Sequence, residues 1–243
     1  MTAMTLGTKT ASVVWLEPHR IHAGGQSRNL SGPITQDVLV MALEGLPPGP
    51  THWVVDDAWI PSLLIRDIVE VPAGSEAREA FFKWRFNQSL ALEAPQSVQA
   101  LDLGENAWLL AGIAETTREA WLQASLTLGR PIRSLIPRWL WLYNRLAASR
   151  EVPGMLLSLC PAGPDTFTGT LASWGRNLAL LRQWTEPATA EAWIQERVLP
   201  SSAYLQRDSR SPQEVLVWGA ATWPDCSIAT RILQPEIPAQ EAL

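Results

Sequence analysis

One stretch constrains this chain more than any other: residues 115–146, ETTREAWLQASLTLGRPIRSLIPRWLWLYNRL. It opens as a helix. Thr116 and Glu119 stand at the spacing of a capping box, in which each side chain satisfies an orphan backbone N–H. Trp121, Leu122, Ser125, Leu126 and Leu128 follow at helical spacing and predict one apolar face. Gly129 supplies the left-handed residue that commonly ends a helix, and Pro131 stops it from continuing. A short strand is predicted over 132–136. Pro137 then opens a second helix, with Leu135, Trp139, Leu142 and Leu146 on one side. A helix–Gly–strand–Pro–helix joint of this kind ties together two halves of an α/β protein.

The rest of the chain can be laid out on either side of that joint. Before it, strands are predicted over 10–16 (TASVVWL) and 20–23 around a turn at 17–19, then a loop over 24–33. Thr35 caps a helix carrying Val38, Leu39, Met41, Ala42 and Leu46, closed by Gly45 and the PPGP run. Strands follow over 52–55 and 63–71, with Asp56 and Asp57 as turn residues between them. Ser75 is expected to cap a long helix over 76–92, with Glu76 and Glu79 in the first turn, where the dipole favours them. Residues 98–103 and 107–113 predict a hairpin. After 150–154 the grammar restarts: a buried strand over 155–160, a hairpin from 167–173 and 178–184, a helix over 188–198 stopped near Pro200, and a strand over 214–218. Each half therefore reads as strands, then helix, then strand, without a repeat in sequence. The Pro-rich segment 234–243 is expected to be a poorly ordered tail.

Charge and composition exclude several classes of function. The net charge is −5 and no Lys/Arg cluster occurs, so there is no electrostatic footprint for nucleic acid. No apolar run approaches the ~20 residues of a membrane span, and no apolar leader segment opens the chain, so a cytosolic protein is expected that meets membrane only through a partner. Two distant cysteines, Cys160 and Cys226, are expected to be free thiols. Thirteen Trp residues exceed what a core of this size needs, and an exposed one would mark a partner surface.

Candidate chemistry is sparse. His19 and His22 lack the further ligands a metal site requires and are expected on the surface. Asp56, Asp57 and Asp67 form a nominal acid/base set, but turn and solvated-face roles account for them. No GxSxG elbow exists, and Cys160 has no base beside it, so it is expected to be a buried strand-end thiol. The loop Thr5–Leu6–Gly7–Thr8–Lys9 has the Gly and small hydroxyl residues that can hold backbone N–H groups against a phosphate. It is equally an ordinary hairpin turn. On the helix over 76–92, Phe81, Phe82, Trp84 and Phe86 span a wide arc with Arg85 among them. They predict either a partner-binding surface or a subdomain core.

Residues 6–16 (LGTKTASVVWL) resemble the N-terminal phosphate-loop hairpin of actin-like proteins. LLIRDIVEVP at 63–72, with the long helix ending in SLALEAP, resembles a passage in the PilM family of type IV pilus assembly, shared by the cytoplasmic domain of the type II secretion protein GspL. AWLQASLTLGRPIRSLIPRWLWLYN is similar to that group's joint between halves. TLASWGRNLALLRQW at 170–184 is similar to its second-half hairpin, and VLVWGAAT at 215–222 to the strand entering its nucleoside loop.

The resemblance implies an α/β, actin-like (ribonuclease-H-like) two-lobed fold with mixed sheets flanked by helices. The first lobe would cover 1–149, with a subdomain inserted at about 58–113, and the second 150–233. It also implies a nucleotide site at Gly7, Thr8, Lys9 and Gly219, but in degenerate form. The acidic residue before the loop glycine is Thr5, its second-half counterpart falls at Ser158, and Pro161 to Pro164 replace a small-residue phosphate turn. A Mg²⁺ held through carboxylates and phosphates loses its protein anchor at Thr and Ser. Two functions follow as alternatives. One is a non-catalytic scaffold without cofactor, docking on an inner-membrane assembly platform through a protein with a short cytosolic tail, and on a motor ATPase. The other is an actin-like ATPase or kinase binding ATP through Gly7, Thr8 and Lys9.

Overall fold

The computed structural model describes residues 12–30, 34–44, 46, 48–68, 70–146, 150–162, 166–175, 177–187, 189–207, 210–220, 224 and 226–233. Contacts divide them into two units. One holds the described residues up to Val55 together with Glu119–Ile136; the other holds Asp56–Arg118 and the described residues from Pro137 to Leu233.

In chain order, β1 (Ser12–Glu17) and β2 (Arg20–Ala23) form the expected hairpin. A third strand, β3 (Gln26–Asn29), follows where a loop is expected. Ala23 pairs with Gln26 across Gly24 and Gly25, at φ 58° and 77°, the two positive values that a type I′ hairpin turn needs. All four β3 residues are polar and exposed, so no apolar alternation signals the strand. Helix α1 (Gln36–Leu43) is capped by Thr35, whose Oγ1 accepts from Val38 N at 3.4 Å. Thr35→Ala is expected to cost about 0.5–1 kcal/mol, read as a lower denaturant midpoint with unchanged slope.

β4 (Thr51–Val55), β5 (Ser62–Ile65), α2 (Ser75–Leu90), β6 (Gln96–Gly104) and β7 (Ala107–Ala114) come next. Ser75 is the first residue of α2 rather than its cap; Gly74 holds the cap position and Ala91 closes the helix in the left-handed region. The central joint is α3 (Glu115–Thr127), β8 (Ile132–Pro137) and α4 (Arg138–Leu146), in the order the spacing predicts, but Thr116 lies inside α3 rather than at its cap and Pro137 closes β8 rather than opening α4. Gly129 has φ 63°. On α3 the buried face is Trp121, Ala124 and Ser125, while Leu126 is exposed.

The second half runs β9 (Gly154–Pro161), β10 (Thr166–Trp174), β11 (Leu181–Pro187), α5 (Ala190–Trp193), a π-helical turn (Ile194–Val198), α6 (Leu199–Arg207), β12 (Glu214–Trp218) and β13 (Ala229–Leu233). The helix does not stop near Pro200. A π turn opens the backbone just before the proline, relieving the demand for its missing N–H and the ring clash that would break a regular helix.

The two five-stranded sheets share one order. The first is β3-β2-β1-β4-β8 and the second β11-β10-β9-β12-β13, so each runs third, second, first, fourth, fifth. In each, three antiparallel strands are followed by a parallel fourth. A separate three-stranded sheet, β5-β7-β6, carries α2 on one face.

Each unit has its own core. In the first, Trp53 of β4 and Trp121 of α3 stack tilted at 5.8 Å, and Trp53 Nε1 donates to Thr51 Oγ1 at 2.9 Å. Arg130 is buried there and donates to the carbonyls of Glu44 and Leu46 just past α1, where a cation complements the helix end. In the second, Met155, Leu157, Leu159, Leu171, Val215 and Val217 line one sheet face against Trp193, Val198 and Leu205. Gly169 leaves room for the Trp193 ring, which any Cβ there would strike.

Candidate functional site

β4 ends at Val55, and the two carboxylates that follow behave only partly as expected. Asp56 does build a turn: its Oδ1 accepts from Ala58 N at 3.0 Å and its carbonyl from Trp59 N at 3.1 Å. The solvated face expected for the pair is absent, because Asp56 and Asp57 are 1% and 0% exposed. Both are buried by α4 and by the second five-stranded sheet.

Asp57 Oδ1 accepts from Trp139 N at 2.8 Å, satisfying one of the orphan donors in the first turn of α4. The Asp57 carbonyl accepts from Gln183 Nε2 at 2.7 Å, and Gln183 Oε1 accepts from Ser62 N at 3.0 Å. Trp139 Nε1 donates to Ser62 Oγ at 3.1 Å. Arg138, 3% exposed, completes the cluster. Its Nη2 lies 3.6 Å from Asp56 Oδ2, donates to the Leu159 carbonyl at 3.0 Å and contacts Cys160 Sγ.

Strand register explains why a polar layer meets this cluster. Trp218 is opposite Ser158, Ser158 opposite Thr170, and Thr170 opposite Gln183. Opposed residues share a face, so these four form a row on the side of the sheet away from Leu157, Leu159 and Leu171. Ser158 and Thr170 are both fully buried.

The electrostatics follow from burial. Desolvation pushes Asp57 up to about 6 against the pull of Arg138, and the charge on Asp56 adds to the rise. The Trp139 N–H and the nearby Ser158 hydroxyl act in the opposite direction, favouring the ionised form. Burial also drives the Cys160 thiol well above its usual range, more than Arg138 lowers it. Cys160 is therefore the inert buried thiol the sequence predicts. A raised carboxyl beside a second carboxyl is an acid/base pattern, yet both groups here are sealed from solvent. They bond to a helix end, a turn and a guanidinium. The cluster fastens residues 56–62 and α4 to the second sheet.

The residues singled out from sequence are scattered. Gly7, Thr8 and Lys9, together with Thr5, lie outside the described residues. Gly219 ends β12 at φ 89°, exposed, and a Cβ there would strike the Leu159 carbonyl, so backbone crowding alone requires glycine. Asp67 is exposed at φ 59°, apart from its buried namesakes. His19 is exposed, and His22 lies 3.8 Å from Glu17. No group of three metal-ligating side chains occurs among the described residues.

The aromatic helix divides. Phe82 and Phe86 are core residues, 2% and 0% exposed, which corrects their assignment to a partner surface. One turn apart on α2, they cover the three-stranded sheet with Leu110, and Phe82 packs on Trp108 at 4.5 Å. Gly112 leaves space for the Phe86 ring. Trp84 is 54% exposed and Phe81 half-buried; the exposed Arg85 guanidinium lies 5.3 Å from the Trp84 ring and 5.8 Å from Phe81.

Sequence reasoning missed Arg138 altogether. A signal was present: a cation in the first turn of a helix opposes the dipole and needs a carboxylate nearby.

No protein-family model matches the chain, and no curated protein matches its sequence. Solved structures do. The cytoplasmic domain of EpsL, an inner membrane component of the type II secretion system of Vibrio cholerae, superposes with a TM-score of 0.55 at 12% identity, covering 93% of this chain and 90% of that one. A PilM–PilN type IV pilus biogenesis complex matches with a TM-score of 0.56 at 12% identity, covering 86% of this chain and 81% of that one. The twice-repeated sheet order and these likenesses give the same answer: an actin-like α/β fold.

Proposed function

We propose that this chain is a component of a type II secretion or type IV pilus assembly machine, acting as a non-catalytic scaffold at the inner-membrane platform. The observation that carries the reading is a likeness spanning nearly the whole of both chains, to the cytoplasmic domain of an inner membrane secretion component. A second, to a pilus complex that contains a partner protein, agrees with it. Among the described residues no helix is long and apolar enough to cross a membrane. In this reading, contact with the bilayer runs through a partner. The absence of catalysis is supported by the use already made of the buried carboxylates. Asp57 caps α4, Asp56 pairs with Arg138, and Ser158 stands where the resemblance looks for an acid.

The partner is a platform protein with a short cytosolic tail, and a motor ATPase is a second candidate. The tail docks on the exposed ridge of α2: Phe81, Trp84 and Arg85. A half-exposed Trp braced by a guanidinium is the kind of rigid amphipathic anchor that dominates peptide interfaces.

The test is a titration of synthetic cytosolic tails, taken from the single-span proteins of the host's pilus and secretion machines, against the purified chain. Micromolar binding that survives truncation after Leu233 is expected. Trp84→Ala is expected to weaken binding by about tenfold or more without lowering the melting temperature. Phosphate release from Mg-ATP is expected at background. Turnover that is abolished in Gly7→Val, with no tail bound, would replace the scaffold by the ATPase.

A further inference from the structure

The three-stranded sheet has an edge unlike the others among the described residues. Its order is β5-β7-β6, which leaves one side of β6 without a neighbouring strand among them. Sheet edges template pairing with another chain unless a charge, a proline, a bulge or a cover blocks them. The remaining edges have such devices. β3 carries Arg28, β8 carries Arg133 and Pro137, β11 carries Arg182, and β13 carries Arg231. β5 has only four residues, and Gln183 receives its Ser62 N–H.

β6 has such devices only at its far end, where Asp102 is charged and the register shifts between Asp102 and Gly104; Gln96 to Leu101 has none. The strand is nine residues long, QSVQALDLG, with no Lys, Arg or Pro, and Gln99 to Asp102 are exposed on both faces. Leu101 is 55% exposed in the middle of it. Its one charge, Asp102, is turned to a local role, accepting from Gly104 N at 2.8 Å.

We propose that the free edge of β6 pairs antiparallel with β6 of a second copy, joining two three-stranded sheets into one of six. Ala100 is the centre of the strand, and a two-fold axis there pairs residues 98–102 of both copies, short of the register shift beyond Asp102. In that register Leu101 of each copy lies diagonal to Leu101 of the other on one face, within side-chain reach, so each covers the other's exposed surface. Asp102 falls opposite Val98 of the second copy, which keeps the two carboxylates apart. The charge pattern therefore permits self-pairing, and the exposed leucine gains a partner. This inference stands on the sheet edge alone and is independent of the α2 ridge.

Sedimentation velocity over a concentration series tests it, on the full chain. A concentration-dependent dimer is expected, and Leu101→Lys should raise its dissociation constant by about tenfold, because like charges then meet across the axis. A second arm uses Ala100→Cys in a Cys226→Ser background with a short bismaleimide linker. Position 100 should cross-link efficiently, and Gln88→Cys on exposed α2 should not. A chain that stays monomeric throughout and fails to cross-link at position 100 would overturn the proposal. So would a dimer of unchanged affinity in a folded Leu101→Lys variant, or capture of position 100 only by another protein's extended segment.

Discussion

Arg138→Met is expected to destabilise the protein by about 3–5 kcal/mol, more than any other single substitution in the buried polar cluster. Arg138 is 3% exposed, and its guanidinium lies beside Asp56, 3.6 Å away. It also donates to the Leu159 carbonyl at 3.0 Å. Methionine fills most of the volume and leaves buried carboxylate charge without its counter-ion, which is the costly half of breaking a buried pair. Arg138→Lys should fall between, because a shorter ammonium keeps the charge but does not reproduce the guanidinium's placement against both Asp56 and the Leu159 carbonyl. Adding Asp56→Asn to Arg138→Met should recover part of the loss, and the double-mutant cycle measures the coupling. Urea unfolding followed by tryptophan fluorescence is the measurement. A loss under about 1 kcal/mol for Arg138→Met would mean the cluster is solvated and does not fasten α4 to the sheet.

The second large effect is a pH dependence carried by Asp57. Its ordinary value is 3.8, and burial raises it to about 6 in the folded protein. Between those values the folded state holds a proton that the unfolded chain has released. The contribution to stability is thus fully present below the unfolded value and is lost as pH rises through the folded one. Above that, ionising Asp57 costs folding on the order of 3 kcal/mol. Asp57→Asn keeps an oxygen for the Trp139 N–H and removes the charge. It should be more stable than the parent by about 1–3 kcal/mol at pH 7, with the difference shrinking towards pH 4. Asp57→Ala instead orphans that N–H and should lose about 1–2 kcal/mol of cap energy. Unfolding midpoints of the three proteins from pH 4 to pH 8 decide it. A parent-minus-Asn difference that stays flat across that range would show that Asp57 is ionised throughout.

Both predictions concern residues that sequence reasoning undervalued, and the reason is physical. Two adjacent aspartates after a strand are good turn formers, and Asp56 does bond Ala58 N locally. What meets their carboxylates comes from residues more than eighty positions away, at Arg138 and Trp139. No local pattern encodes that distance. Phe82 and Phe86 show the same limit from the other side. Their one-turn spacing marks a helix face, but only the placement of β7 beneath them separates core from surface, leaving Trp84 and Arg85 outside.

What the sequence determined by itself is the local grammar. Gly129 and Pro131 break the central joint, Thr35 caps α1, and the apolar runs of β9 and β12 read as buried strands, because propensity, capping and periodicity act over a few residues. The likeness of the two halves was also legible, as a repeated order of elements. Only the tertiary structure decided the rest. It made β3 and β13 strands, since polar or short edge segments are strands only through the neighbours they bond. It set the three-stranded sheet beside the second five-stranded one through Ser62, Gln183 and Trp139. It also turned Asp56, Asp57 and Arg138 from surface charges into a buried cluster, because desolvation depends on what packs over a group and not on its neighbours in the chain.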